Sequence, residues 1–141
     1  RECGATTLID VATLTGACVV ALGDRYTGAF SNSDELMSKI VQASILAGEN
    51  IWRLPMGDEE YDNLNASTVA DIANCGKKCG ATAAARFLGE FVEKKPWVHL
   101  DIAGTSESDE DTEIYSKGGT GAATMLLYEV VKLMEKPYKS Y

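Results

Sequence analysis

The single histidine of this chain, His99, lies in the run Trp97-Val98-His99-Leu100-Asp101-Ile102-Ala103. No Ser or Cys is placed beside it by the sequence, so a structural role is favoured over a catalytic one. Without a second histidine, a Ser-His-Asp hydrolase or a His-rich zinc site is also disfavoured. Asp10 and Asp101 both lie on candidate central strands. A buried carboxylate is costly unless paired or hydrogen-bonded, so both require partners, and structural hydrogen bonding is favoured over metal binding or base chemistry. Cys3, Cys18, Cys75 and Cys79 include no pair with the two-residue gap of a zinc knuckle or redox motif, which points to free thiols in a reducing compartment. The acidic run from Glu107 to Glu113 lacks the alternating pattern of a calcium loop and is expected to be a solvated loop. Lys117-Gly118-Gly119-Thr120-Gly121 has its lysine before the glycines, the reverse of a phosphate-binding loop, and is expected to be a helix cap or lid.

The strongest binding signal involves no reactive group. Ile9-Asp10-Val11-Ala12-Thr13-Leu14-Thr15-Gly16-Ala17 reads as the end of a strand, a turn and the start of a helix within nine residues. Such a junction leaves backbone N–H groups unpaired at the helix start, and ligands of open α/β sheets bind beyond the carboxyl ends of the strands. Thr13, Thr15 and Gly16 are small and neutral, so the main chain there can approach a ligand closely.

The elements that must hold this edge alternate between strands and helices. Thr6 to Ala12 is a predicted strand suited to the middle of a sheet, and Ala17 to Leu22 a helix apolar all round, hence buried on every side, stopped by Gly23. Tyr26 to Phe30 reads as a short strand weakened by Gly28. Asn32 with Glu35 resembles a capping box ahead of an amphipathic helix carrying Leu36, Ile40, Ala43 and Ala47 and closed by Gly48. Ile51 to Pro55 is a short apolar segment, Glu59 to Asn65 a helical turn, and Ser67 to Gly80 a loop. A helix with Ala84, Phe87, Leu88, Phe91 and Val92 on one stripe leads to the strand Trp97 to Ala103. An acidic loop and a final helix from about Gly121 to Lys136 follow, the helix turning Ala123, Leu126, Leu127, Val130, Val131 and Met134 inward. The predicted fold class is α/β, a layered sheet flanked by helices. Two clear strands are few for these helices, and the chain begins at Arg1 almost directly before a strand, so further strands are expected upstream.

At 141 residues the chain suits one domain, able to bury about two thirds of its unfolded surface. Hydrophobic residues at 45% and charged residues at 24% match an ordinary globular composition. A net charge of −8 disfavours nucleic acid and anionic membrane surfaces as partners. No apolar run reaches the 18 or so residues of a membrane span and the start lacks a signal-peptide core, so a cytoplasmic location is expected.

Five segments in order resemble the leucine aminopeptidase family of cytosolic metallo-exopeptidases. They are Asp10 to Ala17, Ile51-Trp52-Arg53-Leu54-Pro55, Val69-Ala70-Asp71 with Asn74 and Gly76, Trp97 to Gly104, and Lys117-Gly118 with Thr120-Gly121. The resemblance covers nearly the whole chain and implies that residues 1–141 are the C-terminal portion of a catalytic domain. The implied activity is release of N-terminal, leucine-like residues from peptides. It also implies two divalent metal ions, manganese or zinc, held by a Lys, several Asp and a Glu upstream, chiefly in an Asn-Thr-Asp-Ala-Glu-Gly-Arg run that this sequence does not contain. In the family the metals activate a bridging water while a Lys and an Arg stabilise the oxyanion. The implied catalytic groups and metal ligands thus lie outside this chain, which alone is expected to be inactive.

What the resemblance carries onto these residues is a substrate wall. Thr13 and Gly16 stand in the pocket for the N-terminal side chain, the Leu14 carbonyl and the Gly16 N–H make main-chain contacts, and Ala103 with Ser106 closes the pocket. Small residues suit such a pocket, in which burying a leucine-sized group contributes about 1.5–3 kcal/mol. Ser106 departs as a polar intrusion and argues against strict leucine preference. The family forms hexamers, so homo-oligomerisation is expected. A reading from another class is a non-catalytic α/β module that keeps the scaffold for binding or oligomer assembly. A third is a nucleotide-binding domain, suggested by the helix start at Gly16.

Overall fold

A computed structural model describes residues 2–57, 64–65, 67–74 and 80–135. Its elements are β1 (Leu8–Ala12), α1 (Gly16–Leu22), β2 (Thr27–Ser31), α2 (Asp34–Ala47), β3 (Ile51–Arg53), α3 (Gly80–Gly89), β4 (Trp97–Asp101), β5 (Glu107–Ser108), β6 (Gly118–Gly119) and α4 (Thr124–Met134). Four strands form a mixed sheet in the order β1-β4-β2-β3. β4 is parallel to β1 and antiparallel to β2, while β2 and β3 are parallel.

The two-residue period of the strands sends alternate side chains to opposite faces. Ala29, Val98 and Leu100 meet Leu36, Met37, Ile40 and Ala43 of α2 and Leu126 and Val130 of α4 in one apolar cluster. On the other face Phe30 packs with Cys18 of α1 and with Ala81 and Ala85 of α3. The result is the expected sheet flanked by helices, with β4 buried at all five positions. Among the described residues no helix is long and apolar enough to cross a membrane.

Several local expectations change. β1 is an edge strand among the described residues, half-buried along its length, because only β4 pairs with it. α1 is not buried on every side: Cys18 is its only buried residue and Val20 is 89% exposed, since only one side of this short helix meets the sheet. Gly28 belongs to β2 for a packing reason, as a Cβ there would come within 2.6 Å of Cys18 Sγ. α2 is capped by Ser33, whose hydroxyl accepts from Leu36 N at 3.3 Å. Asn32 instead spans to the start of β4, accepting from Trp97 N and donating to Lys95 O, each at 2.9 Å. α3 buries Ala81, Ala83 and Ala85 and ends before Phe91, which is exposed. In α4, Leu126 and Val130 are buried, whereas Val131 and Met134 face outward. The acidic segment is not wholly loop, because Glu107 and Ser108 pair antiparallel with Gly119 and Gly118. Most of the turn expected from Glu59 to Asn65 lies outside the described residues.

The start of α4 depends on a distant carboxylate. Its N-cap position is Ala123 in the left-handed conformation, φ 69°, with no side chain able to cap. Glu49, just beyond α2, accepts from Ala123 N at 2.5 Å and from Leu126 N at 2.9 Å. A carboxylate at a helix N-terminus satisfies orphan donors and complements the helix dipole. Glu49→Ala is therefore expected to lower the unfolding free energy by about 1–3 kcal/mol, read by urea denaturation of the chain. An unchanged midpoint and slope would contradict this capping role.

Candidate functional site

Asp101 ends β4 at 1% exposure, facing the turn that follows β1. Its Oδ1 accepts from Leu14 N at 3.1 Å, Ala103 N at 3.1 Å and Thr15 N at 3.4 Å. Its Oδ2 accepts from Thr15 Oγ1 at 2.7 Å, and the same hydroxyl accepts from Cys18 N at 3.0 Å as the cap of α1. The parallel pairing of β1 with β4 ends both strands side by side, at Ala12 and Asp101. The carboxylate then joins the two chains as they leave the sheet. With its acceptors engaged by backbone and hydroxyl donors, Asp101 has the structural hydrogen-bonding role expected for it.

Two segments are thus held against each other at the carboxyl ends of β1 and β4. Thr13 and Gly16 on the first are exposed, and Leu14 is 36% exposed. Nothing lies within 4 Å of where a Cβ on Gly16 would stand, so its backbone is open to an approaching group. On the second segment, Ala103 and Ser106 are half-buried. Ile102 N donates to Ala12 O at 2.9 Å, and Ile102 O accepts from both Thr105 N and Ser106 N, at 3.1 and 2.9 Å, forming a tight turn. Gly104 sits against the backbone of Gly23, at the end of α1, so closely that a Cβ would overlap the Gly23 carbonyl oxygen. Leu14 and Ala103 therefore meet at one carboxylate oxygen, while Ser106 is held by its main chain.

Asp10 and His99 are opposite one another in the β1–β4 register and are bonded to each other. Asp10 Oδ1 lies 2.6 Å from His99 Nδ1, and its Oδ2 accepts from Trp97 Nε1 at 2.6 Å. A carboxylate that accepts here places the imidazole proton on Nδ1. The ring stacks between Phe30 at 6.0 Å and Trp97 at 6.4 Å, centroid to centroid, and Nε2 is buried with no partner among the described residues. This is a packed, oriented histidine, in keeping with the structural role expected of it. The sequence reading missed Trp97 as the second donor to Asp10. The signal was available, since Trp97 and His99 are two apart on a strand and share a face.

The remaining candidates are placed elsewhere. The Lys117 segment is a strand partner rather than a helix start: Lys117 N donates to Asp111 Oδ1 at 2.9 Å, and α4 begins only at Thr124. Val69 and Ala70 donate to Ser67 Oγ in an exposed turn, while Gly76, Cys75 and Cys79 lie outside the described residues. Among the described residues no group of three or more His, Cys, Asp or Glu side chains is placed to hold a metal ion.

Cys18 is buried beneath this junction, its thiol donating to Asp101 O at 3.8 Å. Burial first, and the negative charge of Asp101 second, push its pKa above the ordinary 9.0, against a smaller opposing effect of the Gly28 backbone. The unfolded chain therefore releases this proton before the folded chain does. Its contribution to stability is present below pH 9.0 and declines as pH rises beyond it. In the folded chain at neutral pH, iodoacetamide followed by peptide mapping is expected to mark exposed Cys3 and leave Cys18 unmodified. Labelling of Cys18 as fast as Cys3 would contradict its burial.

Comparison with known proteins gives this geometry a context. The cytosol aminopeptidase family, catalytic domain, matches residues 1–128. Relatives include the probable cytosol aminopeptidase of Alkaliphilus metalliredigens (strain QYMF), 51% identical over 136 residues, covering 96% of this chain and 27% of that protein. The probable cytosol aminopeptidase of Picosynechococcus sp. (strain ATCC 27264 / PCC 7002 / PR-6) is 50% identical over 122 residues, covering 86% of this chain and 25% of that protein. Among solved structures, a tomato leucine aminopeptidase mutant superposes with a TM-score of 0.84 at 42% identity, over 92% of this chain and 25% of its own. The bottromycin maturation enzyme BotP in complex with Mn superposes with a TM-score of 0.87 at 41% identity, over 93% of this chain and 29% of its own. The chain spans about a quarter of the length of the curated relatives it matches. With residues 1–128 of the chain matching the family's catalytic domain and the same fold at more than 40% identity, the chain belongs to the cytosol aminopeptidase family.

Proposed function

We propose that residues 1–141 are the C-terminal portion of the catalytic domain of a metallo-aminopeptidase that releases N-terminal, leucine-like residues from peptides. In this reading the segment supplies one wall of the substrate pocket. Thr13 and Gly16 border the N-terminal side chain, the Leu14 carbonyl and Gly16 N–H contact the substrate main chain, and Ala103 and Ser106 close the far side. The observation that carries it is the carboxylate of Asp101, which gathers the Leu14, Thr15 and Ala103 amides onto one oxygen and so sets the two small-residue segments side by side. Family membership supports peptides as the substrates.

Two divalent metal ions, manganese or zinc, complete the proposed enzyme. When bound, such ions supply an activated water and a Lewis acid for the scissile carbonyl. The described residues include no set of ligands for them, and the proposal places the ligands on polypeptide beyond this chain. A manganese complex of the structural neighbour BotP supports a divalent metal of this kind. The contribution of these residues is to bind and orient: open backbone at Gly16, small side chains along the wall, and a carboxylate engaged by the protein's own donors. A cytoplasmic homo-oligomer, a hexamer, is proposed for the whole enzyme on the strength of the family.

The isolated 141-residue polypeptide, assayed on leucine amides with added manganese or zinc, is expected to show no turnover above the blank. Clear metal-dependent hydrolysis would overturn the placement of the catalytic groups outside it.

A further inference from the structure

The two ends of the proposed wall are secured differently. Ala103 is tied to Asp101, and Gly104 is seated against Gly23. Ser106 lies beyond both supports. Its N–H closes a local turn onto Ile102 O, and its carbonyl accepts from Thr120 N at 3.0 Å. The hydroxyl of Thr120 donates to the neighbouring carbonyl, Thr105 O, at 2.6 Å, and accepts from Ala122 N at 3.2 Å. Across the turn, the Thr105 hydroxyl meets the Thr27 hydroxyl of β2 at 2.8 Å. Thr120 is itself well anchored: Ala123 and Leu126, just after it, are buried in the core and capped by Glu49.

We propose that Thr120 is a positioning residue for substrate selection, its hydroxyl and N–H fixing the carbonyls of Thr105 and Ser106 and thereby the depth of the pocket that Ser106 closes. The inference rests on the aminopeptidase reading of the wall. One threonine supplies the main-chain N–H that holds Ser106 and the side-chain donor that holds Thr105, so the turn is clamped at two successive carbonyls. Without the hydroxyl, Thr105 O and Ala122 N lose these bonds, while the backbone bond to Ser106 survives. The turn then keeps its fold but loses one of the two bonds that set its height.

The test uses the full-length enzyme loaded with manganese and compares leucine with alanine amides. Thr120→Val, which keeps the shape and removes the hydroxyl, is expected to raise KM for the leucine amide about tenfold, the scale of a misplaced pocket contact, with a smaller change in kcat and a reduced preference for leucine over alanine. Thr120→Ser is expected to restore both values. Thr120→Cys, with a weaker donor, is expected to fall between them and carries the test if Thr120→Val does not fold. Unchanged KM and preference in the valine or cysteine variant overturn the inference. So does a fall in kcat alone that is equal on both amides, which marks a general structural role. A wild-type enzyme without aminopeptidase turnover overturns the proposed function and this inference with it, whereas an active wild type with an indifferent Thr120 overturns this inference alone.

Discussion

The arrangement at the carboxyl ends of β1 and β4 depends on one buried carboxylate accepting from the two polypeptide segments that leave the sheet there. Asp101 takes N–H donors from Leu14, Thr15 and Ala103 and a hydroxyl from Thr15. Hydrogen bonds to a charged group contribute about 1.5–3 kcal/mol each and are not additive, yet their main effect here is geometric. Together with the Ile102 N to Ala12 O bond and the seating of Gly104 against Gly23, they hold the two loops side by side. Parallel pairing of β1 and β4 is the precondition, because it alone brings both exits to the same edge of the sheet.

The same device recurs twice at somewhat smaller separations in the chain. Glu49 caps α4 from the far end of α2, and Asn32 spans from the start of α2 to the start of β4. Each replaces a local interaction by one that fixes the position of a whole element. Small residues permit the close approaches between these supports: Gly28 admits Cys18 to the sheet, and Gly104 admits the backbone of Gly23. The edge at the carboxyl ends of β1 and β4 is thus supported from behind, while Thr13 and Gly16 remain exposed.

Much of this was legible from residue patterns. The strand-turn-helix at Ile9 to Ala17, the α2 stripe and the apolar run of β4 each carry a pattern typical of their element, and each element lies where that pattern places it, although β4 is buried on both faces. The need of Asp10 and Asp101 for hydrogen-bond partners followed from the cost of burying a charge. The partners themselves lie up to 89 residues away and leave no local trace. The cap of α2 shows the same limit: Asn32 and Ser33 are both good caps, and only the distant backbone of Trp97 and Lys95 decides that Asn32 is used elsewhere. Apolarity misled at α1, where Val20 is exposed, because hydrophobicity states what a residue would gain from burial and not what surface is present to bury it.

The most direct measurement of the central claim, that the two segments joined by Asp101 form a wall for the substrate's N-terminal side chain, is a crystal structure of the full-length protein bound to a non-hydrolysable leucine amide analogue. The account expects the leucyl side chain against Thr13, Gly16, Ala103 and Ser106, with the Leu14 carbonyl and Gly16 N–H on its main chain. A leucyl side chain bound away from both segments would contradict it.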